Sequence, residues 1–174
     1  GLFPQMQVNP RADLTFAACL TSVLRQDPQV IMIGEIRDPE TCEIAMRSGL
    51  TGHLVLSTIH SGTACGVVTR LLDMGIEPYV VTSALSAVLS QRLVRRVCPA
   101  CAEPDMPDPG LLATMRRQGA EFEGPYVRGR GCAACLGTGY SGRIALSELL
   151  TVGEAVSAPI ITRSGTAKLE AAAV

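Results

Sequence analysis

Two Cys-x-x-Cys pairs, Cys98-Pro-Ala-Cys101 and Cys132-Ala-Ala-Cys135, with 30 residues between them, restrict this chain more than any other feature. Each pair sets two thiolates on one tight turn, and two such turns facing each other make a tetrahedral four-sulfur site. Soft thiolate ligands in that geometry suit Zn²⁺ first and an iron–sulfur centre second. The protein fills all four positions and leaves none open for substrate, so a structural zinc site at Cys98, Cys101, Cys132 and Cys135 is expected. The alternative is four unrelated thiols or a redox pair. The spacer exceeds the usual roughly 15–20 residues, so closure needs structure inside it. Gly131, Gly137 and Gly139 suit a backbone that bends around a metal. Cys19, Cys42 and Cys65 stand alone in apolar helical patterns and read as small core residues. An odd total of seven cysteines argues for metal rather than a disulfide framework, and hence for a reducing, cytoplasmic compartment.

With 47% hydrophobic and 18% charged residues the chain is expected to fold, as one ordinary core with a small appended module. A net charge of −1 gives no general reason to expect nucleic acid or an anionic membrane as partner. A zinc-ribbon nucleic-acid binder fits poorly: Arg116, Arg117, Arg128 and Arg130 lie in the cysteine region, but with only Phe122 and Tyr126 as aromatics. No charged segment followed by an apolar run marks a signal peptide after Gly1. Apolar stretches break off before the roughly 18–20 residues of a membrane span. Gly1 falls inside what reads as an ordered stretch, so a fragment of a longer protein is expected.

The first two-thirds alternates helix and strand signals. Asp13 to Gln26 reads as a helix ended by Asp27-Pro28. Val30-Ile31-Met32-Ile33 reads as a strand buried on both faces. Asp38-Pro39-Glu40 supplies a cap, a first-position proline and an acid for a helix that Gly49 should stop. His53 to Thr58 reads as the next strand. Ala64, Val67, Val68 and Leu71 mark a helix closed by Gly75; Val81, Ala84, Leu85 and Val88 mark another, starting at Glu77-Pro78. Gln91 to Val97 fits a strand or a helix tail. This order means an α/β fold with a mainly parallel sheet. Four prolines between Cys98 and Gly110 exclude a helix there. Leu111 to Gln118 reads as a short helix, and Arg143 to Leu150 as a strand or a helix. Thr166 to Ala173 has helix formers without a convincing apolar face.

Two further constellations carry chemistry. In Val30-Ile31-Met32-Ile33-Gly34-Glu35-Ile36-Arg37-Asp38 a buried strand ends in an acid, the arrangement with which P-loop ATPases hold Mg²⁺ and the attacking water. Glu35 is the first carboxylate, and Gly34 stands where an Asp is common. Asp38 reads as a helix cap only. In Thr51-Gly52-His53-Leu54-Val55-Leu56-Ser57-Thr58-Ile59-His60-Ser61-Gly62 a strand carries both histidines of the chain, one at each end. His60, at the C-terminal end, lies where α/β proteins gather ligands. His53 reads as a structural histidine at the far end.

Taken together and in this order, these pieces resemble the ATPase family that drives type II secretion and type IV pilus assembly. Gln7-Val8-Asn9-Pro10 with Leu14-Thr15-Phe16-Ala17 resembles the stretch after that family's Asp box, and Leu24 to Asp38 its Walker B region. Thr51 to His60 resembles its His box, and Arg70 to Gly75 with Gln91 to Arg96 the elements that follow. The four cysteines, with Gly137-Thr138-Gly139-Tyr140 and Gly142-Arg143, resemble its zinc module.

The resemblance implies a partial RecA-like P-loop ATPase core over residues 1–97, a zinc module over 98–150 and a weakly helical tail over 151–174. It implies Glu35 as the carboxylate that positions water and His60 as a γ-phosphate contact. Arg37 and His53 would make nucleotide or inter-element contacts. ATP and Mg²⁺ would serve the intact parent, a homohexamer in the cytoplasm, docked on inner-membrane platform proteins. The tetracysteine favours the secretion or extension branch over retraction motors. No G-x-x-x-x-G-K-[ST] occurs in the sequence, and Lys168, the single lysine, lies in the wrong context for it. These residues alone are therefore expected to be inactive, with part of the core exposed. Ile144-Ala145-Leu146-Ser147-Glu148 matches the family's run of Gly, aromatic and Glu only in part. The alternative function is a non-catalytic, zinc-stabilised docking module.

Overall fold

A computed structural model describes residues 3–117, 119 and 124–173. Gly1, Gln118 and Phe122, each used above, lie outside the described residues. The chain forms two compact units, Gly1–Ser90 with Glu148–Val174, and Gln91–Ser147. Strands β3 (Ala87–Val97) and β6 (Tyr140–Thr151) pair with each other.

In the first unit, α1 (Phe16–Leu24) is shorter than the apolar pattern suggested. Asp13 has a left-handed backbone, and the Thr15 hydroxyl accepts from the Ala18 N–H as N-cap, so the helix starts there. Strands β1 (Val30–Ile33) and β2 (Leu54–Ser57) pair in parallel, Val30 opposite Leu54 and Ile33 opposite Ser57. The expectation of burial on both faces is corrected. Ile31 and Ile33 are buried, but Val30 is 56% and Met32 78% exposed, because helices cover only one face of this pair among the described residues. Asp38 caps α2 (Pro39–Leu50), accepting from both the amide and the hydroxyl of Thr41. Gly49 does not stop this helix. It faces α4 (Pro78–Ala84), where a Cβ on it would meet that of Ala84 at an ordinary 3.4 Å; the turn is made at Gly52, with φ +98°.

Helix α3 (Ala64–Asp73) buries Val67, Val68 and Leu71, the stripe read from its period, and Gly75 follows it with a positive φ. The next period misled: Leu85 is already extended and Val88 lies in β3. There the Val152 N–H donates to Ser86 O, and strand pairing outweighs the helical spacing. Helices α6 (Glu154–Ile161) and α7 (Thr166–Ala172) place Val156, Ile160 and Leu169 in the core beside Val68 and Val81. Each is short and offers one or two core residues, too few to show a stripe.

In the second unit, β4 (Ala102–Pro104) and β5 (Val127–Gly129) pair antiparallel, Ala102 opposite Gly129 and Pro104 opposite Val127. Between them α5 (Pro109–Arg117) buries none of its residues. No helix among the described residues is long and apolar enough to cross a membrane.

Candidate functional site

Because β1 and β2 are parallel, the loops that follow them leave from the same edge of the pair, the edge where α/β proteins bind ligands. After β1 the buried Ile36 anchors the loop in the core. Glu35 and Arg37, on either side of it, are both solvent-accessible, and Arg37 Nη2 donates to Glu35 Oε1 at 2.5 Å. After β2 the chain reaches His60, whose Nε2 lies 3.6 Å from Glu35 Oε2. Glu35 is 22% exposed and His60 90%, so the acid sits at the floor and the imidazole at the rim. Thr58 joins the two loops. Its carbonyl accepts from the Ile36 N–H at 2.9 Å and its hydroxyl donates to Gly34 O at 2.7 Å.

Beyond His60, Thr63 caps α3, and Glu148 Oε2 accepts from the Ala64 N–H at 3.2 Å, from 84 positions along the chain. Neither Thr58 nor Glu148 stood out in the sequence as a site residue. Both contacts depend on long-range pairing that no local pattern carries. Gly34 has neither a left-handed backbone nor a neighbour within 4 Å of an added Cβ. Its missing side chain leaves open space next to Glu35.

The hydrogen bond from Arg37 holds the Glu35 carboxyl below the usual carboxylate range; the charges of Arg37 and His60 add to this, against partial desolvation. Arg37 is raised in return. A carboxylate whose ionised form is favoured in this way can accept a hydrogen bond from water. His53 is elsewhere, at the start of β2. Its Nδ1 lies 3.1 Å from both Ser48 O and Thr51 Oγ1, tying that end of the strand to the end of α2.

In the second unit the sulfurs of Cys98, Cys101, Cys132 and Cys135 lie within 4.8 Å of one another. Cys101 Sγ is 3.9 Å and Cys132 Sγ 3.8 Å from Cys135 Sγ. Sulfurs about 2.3 Å from one tetrahedral metal would be roughly 3.8 Å apart, so the set fits a tetrathiolate. Three amides point at sulfur: Gly131 N–H at Cys101, and Cys132 and Gly139 N–H at Cys135. The donors from Cys132 and Gly139 pull the Cys135 thiol down to about 6. Burial pushes Cys101 up to about 12. The long spacer closes through the β4–β5 pair, extended by Asp105 N–H to Tyr126 O and Arg130 N–H to Cys101 O. Arg128 bridges Glu103 and Asp105 along it. Close backbone packing finishes the knuckle. Gly139 has φ +74°, and a Cβ on it would fall 2.4 Å from Gly129 O.

The family described as Type II/IV secretion system protein matches residues 3–174. The Type IV pilus assembly ATPase PilB of Thermus thermophilus is 48% identical over 167 residues, 95% of this chain and 19% of that protein. The Type II secretion system ATPase E of Vibrio cholerae is 49% identical over 171 residues, 95% of this chain and 33% of that protein. The crystal structure of the pilus retraction motor PilT with bound ADP aligns with a TM-score of 0.58 at 27% identity, covering 86% of this chain and 33% of that one. The chain thus spans about a fifth to a third of the length of these relatives. The family match runs through the Glu35–His60 edge and the four-cysteine cluster alike, and on it the chain belongs to the type II/IV secretion system protein family.

Proposed function

We propose that these residues form the water-positioning half of an ATP-hydrolysing site in a secretion or pilus-assembly ATPase. The observation that carries this is the meeting of Glu35 and His60, from two strand ends, at 3.6 Å on the ligand-binding edge of a parallel pair. Glu35, kept ionised by Arg37, accepts a hydrogen bond from the attacking water and aligns it; His60 at the rim donates to the γ-phosphate as charge builds there. Arg37 fixes one Glu35 oxygen, which leaves the other free to be shared between His60 and water. His53 serves as a contact between elements. The open space at Gly34 lets phosphate approach the backbone. Mg²⁺ bound with the nucleotide supplies charge neutralisation on the phosphates.

The 174 residues contain no P-loop, so the cradle that grips phosphate must come from outside them, and a polypeptide of these residues alone does not turn over ATP. Residues 1–97 would correspond to the later part of a RecA-like domain, and the protein would work as a homohexamer in the cytoplasm, peripheral to the inner membrane on platform proteins. The names of its relatives and the ADP bound to PilT support the ATPase part of this reading. Cys98, Cys101, Cys132 and Cys135 would hold Zn²⁺, which supplies a structural cross-link and no open coordination position. Since the tetrad closes within its own unit, that unit on its own would act as a docking module rather than a catalyst.

The test is steady-state ATP hydrolysis by the protein expressed from its complete reading frame. Glu35→Gln is expected to lose about 100-fold or more in kcat while still binding nucleotide, in line with loss of a group that acts in the transition state. Turnover by Glu35→Gln at the wild-type rate contradicts the proposal.

A further inference from the structure

We infer that Thr58 is the positioning residue that sets Glu35 against His60, an inference that rests on reading that pair as the nucleotide-facing site. Regular pairing of β1 with β2 ends at Ile33 opposite Ser57, one residue before Gly34 and Glu35. Past that point the sheet no longer fixes the backbone, and Gly34, lacking a side chain, is the freest link in it. Thr58 takes over there with both of its oxygens. The carbonyl holds the Ile36 N–H and the hydroxyl holds the Gly34 carbonyl, so the residues before and after Glu35 are clamped by one partner. That partner lies two residues from His60. One side chain therefore couples the backbone under the acid to the backbone that carries the imidazole.

Arg37 restrains the Glu35 carboxylate but is itself 70% exposed, and Ile36 fixes its own position in the core without setting the carbonyl of Gly34. Ser57 reaches only the Thr58 carbonyl, at 3.3 Å. The Thr58 hydroxyl is solvent-accessible, where water can replace the bond it makes, so its removal should cost folding little. What it would cost is aim. Valine at this position keeps the β-branched shape and the backbone bond to Ile36 and deletes only the bond to Gly34.

The experiment compares wild type, Thr58→Val, Thr58→Ser and Glu35→Gln of the protein from its complete reading frame, measuring kcat and KM for ATP and the thermal midpoint. Thr58→Val is expected to lower kcat about 10-fold or more, since an ångström of misplacement costs on the order of 100-fold. KM and the thermal midpoint should stay at their wild-type values, and Thr58→Ser should recover most of the lost kcat. A wild-type kcat in Thr58→Val overturns the inference, as does a serine variant as slow as the valine one. A Thr58→Val protein that unfolds also overturns it, by assigning the hydroxyl to folding. If Glu35→Gln is slow while Thr58→Val is normal, only the role of Thr58 fails. If Glu35→Gln is as active as wild type, or wild type has no turnover, the nucleotide reading itself fails.

Discussion

Cys101 Sγ and Cys135 Sγ lie 3.9 Å apart although 34 positions separate them in the chain. The β4–β5 pair carries the second knuckle back onto the first, so the sulfurs converge without depending on a short spacer. One zinc per chain is expected by elemental analysis, lost in Cys98→Ser, with a lowered thermal transition in that variant and after chelation. Occupancy should fall on acidification, because Cys101, pushed up to about 12 when metal-free, must lose its proton to bind. A metal-free protein with an unchanged transition would contradict this.

Gly139→Ala should damage the same module with all four ligands intact. The substitution forces a side chain into a left-handed backbone and drives Cβ to 2.4 Å from Gly129 O. A loss of about 3 kcal/mol or more is expected, from backbone strain plus overlap. Denaturant unfolding of the metal-loaded protein measures it, and a loss under about 1 kcal/mol would show that the two backbone segments can part.

Gly49→Ala should do the reverse. Gly49 lies within α2, where alanine is favoured by about 0.8–1 kcal/mol, and its Cβ would meet Ala84 at an ordinary 3.4 Å. Stabilisation by roughly 0.5–1 kcal/mol is expected, and Gly49→Leu should destabilise by pushing α4 away. Urea midpoints decide the sign.

These two glycines show what the sequence could and could not disclose. Near the second Cys pair, the density of glycines pointed to a tightly bent backbone, since only glycine tolerates both left-handed φ and such close approach. Gly49 pointed to a helix stop, because its real partner, Ala84, is remote in sequence. Strand β1 and the Asp38 cap were legible from local chemistry, as were Glu35 and His60, each at the end of an apolar run. Long-range pairing was not. It placed Val88 in a strand against its helical spacing, drew Ile160 and Leu169 into the core, and brought Thr58 to Gly34 and Glu148 to Ala64. The exposure of Val30 and Met32 also escaped a reading in which a continuous apolar run implies two covered faces.

The state of Glu35 offers a test of the site that needs no turnover. Its folded pKa is depressed, so its pairing is present above the unfolded carboxylate value and is lost as pH falls through the folded one. Arg37→Gln removes the leading cause. The carboxyl titration of Glu35, followed by NMR, should move upward in that variant; an unmoved midpoint would mean that Arg37 does not hold the carboxylate in solution.

The most direct measurement is a double-mutant cycle in kcat between Glu35→Gln and His60→Ala, in the protein from its complete reading frame. Residues that act on one bound nucleotide as a unit lose their effects non-additively. The double variant is expected to be no slower than the slower single variant. Losses that multiply would show that Glu35 and His60 work independently, and would contradict the 3.6 Å pair as a single site.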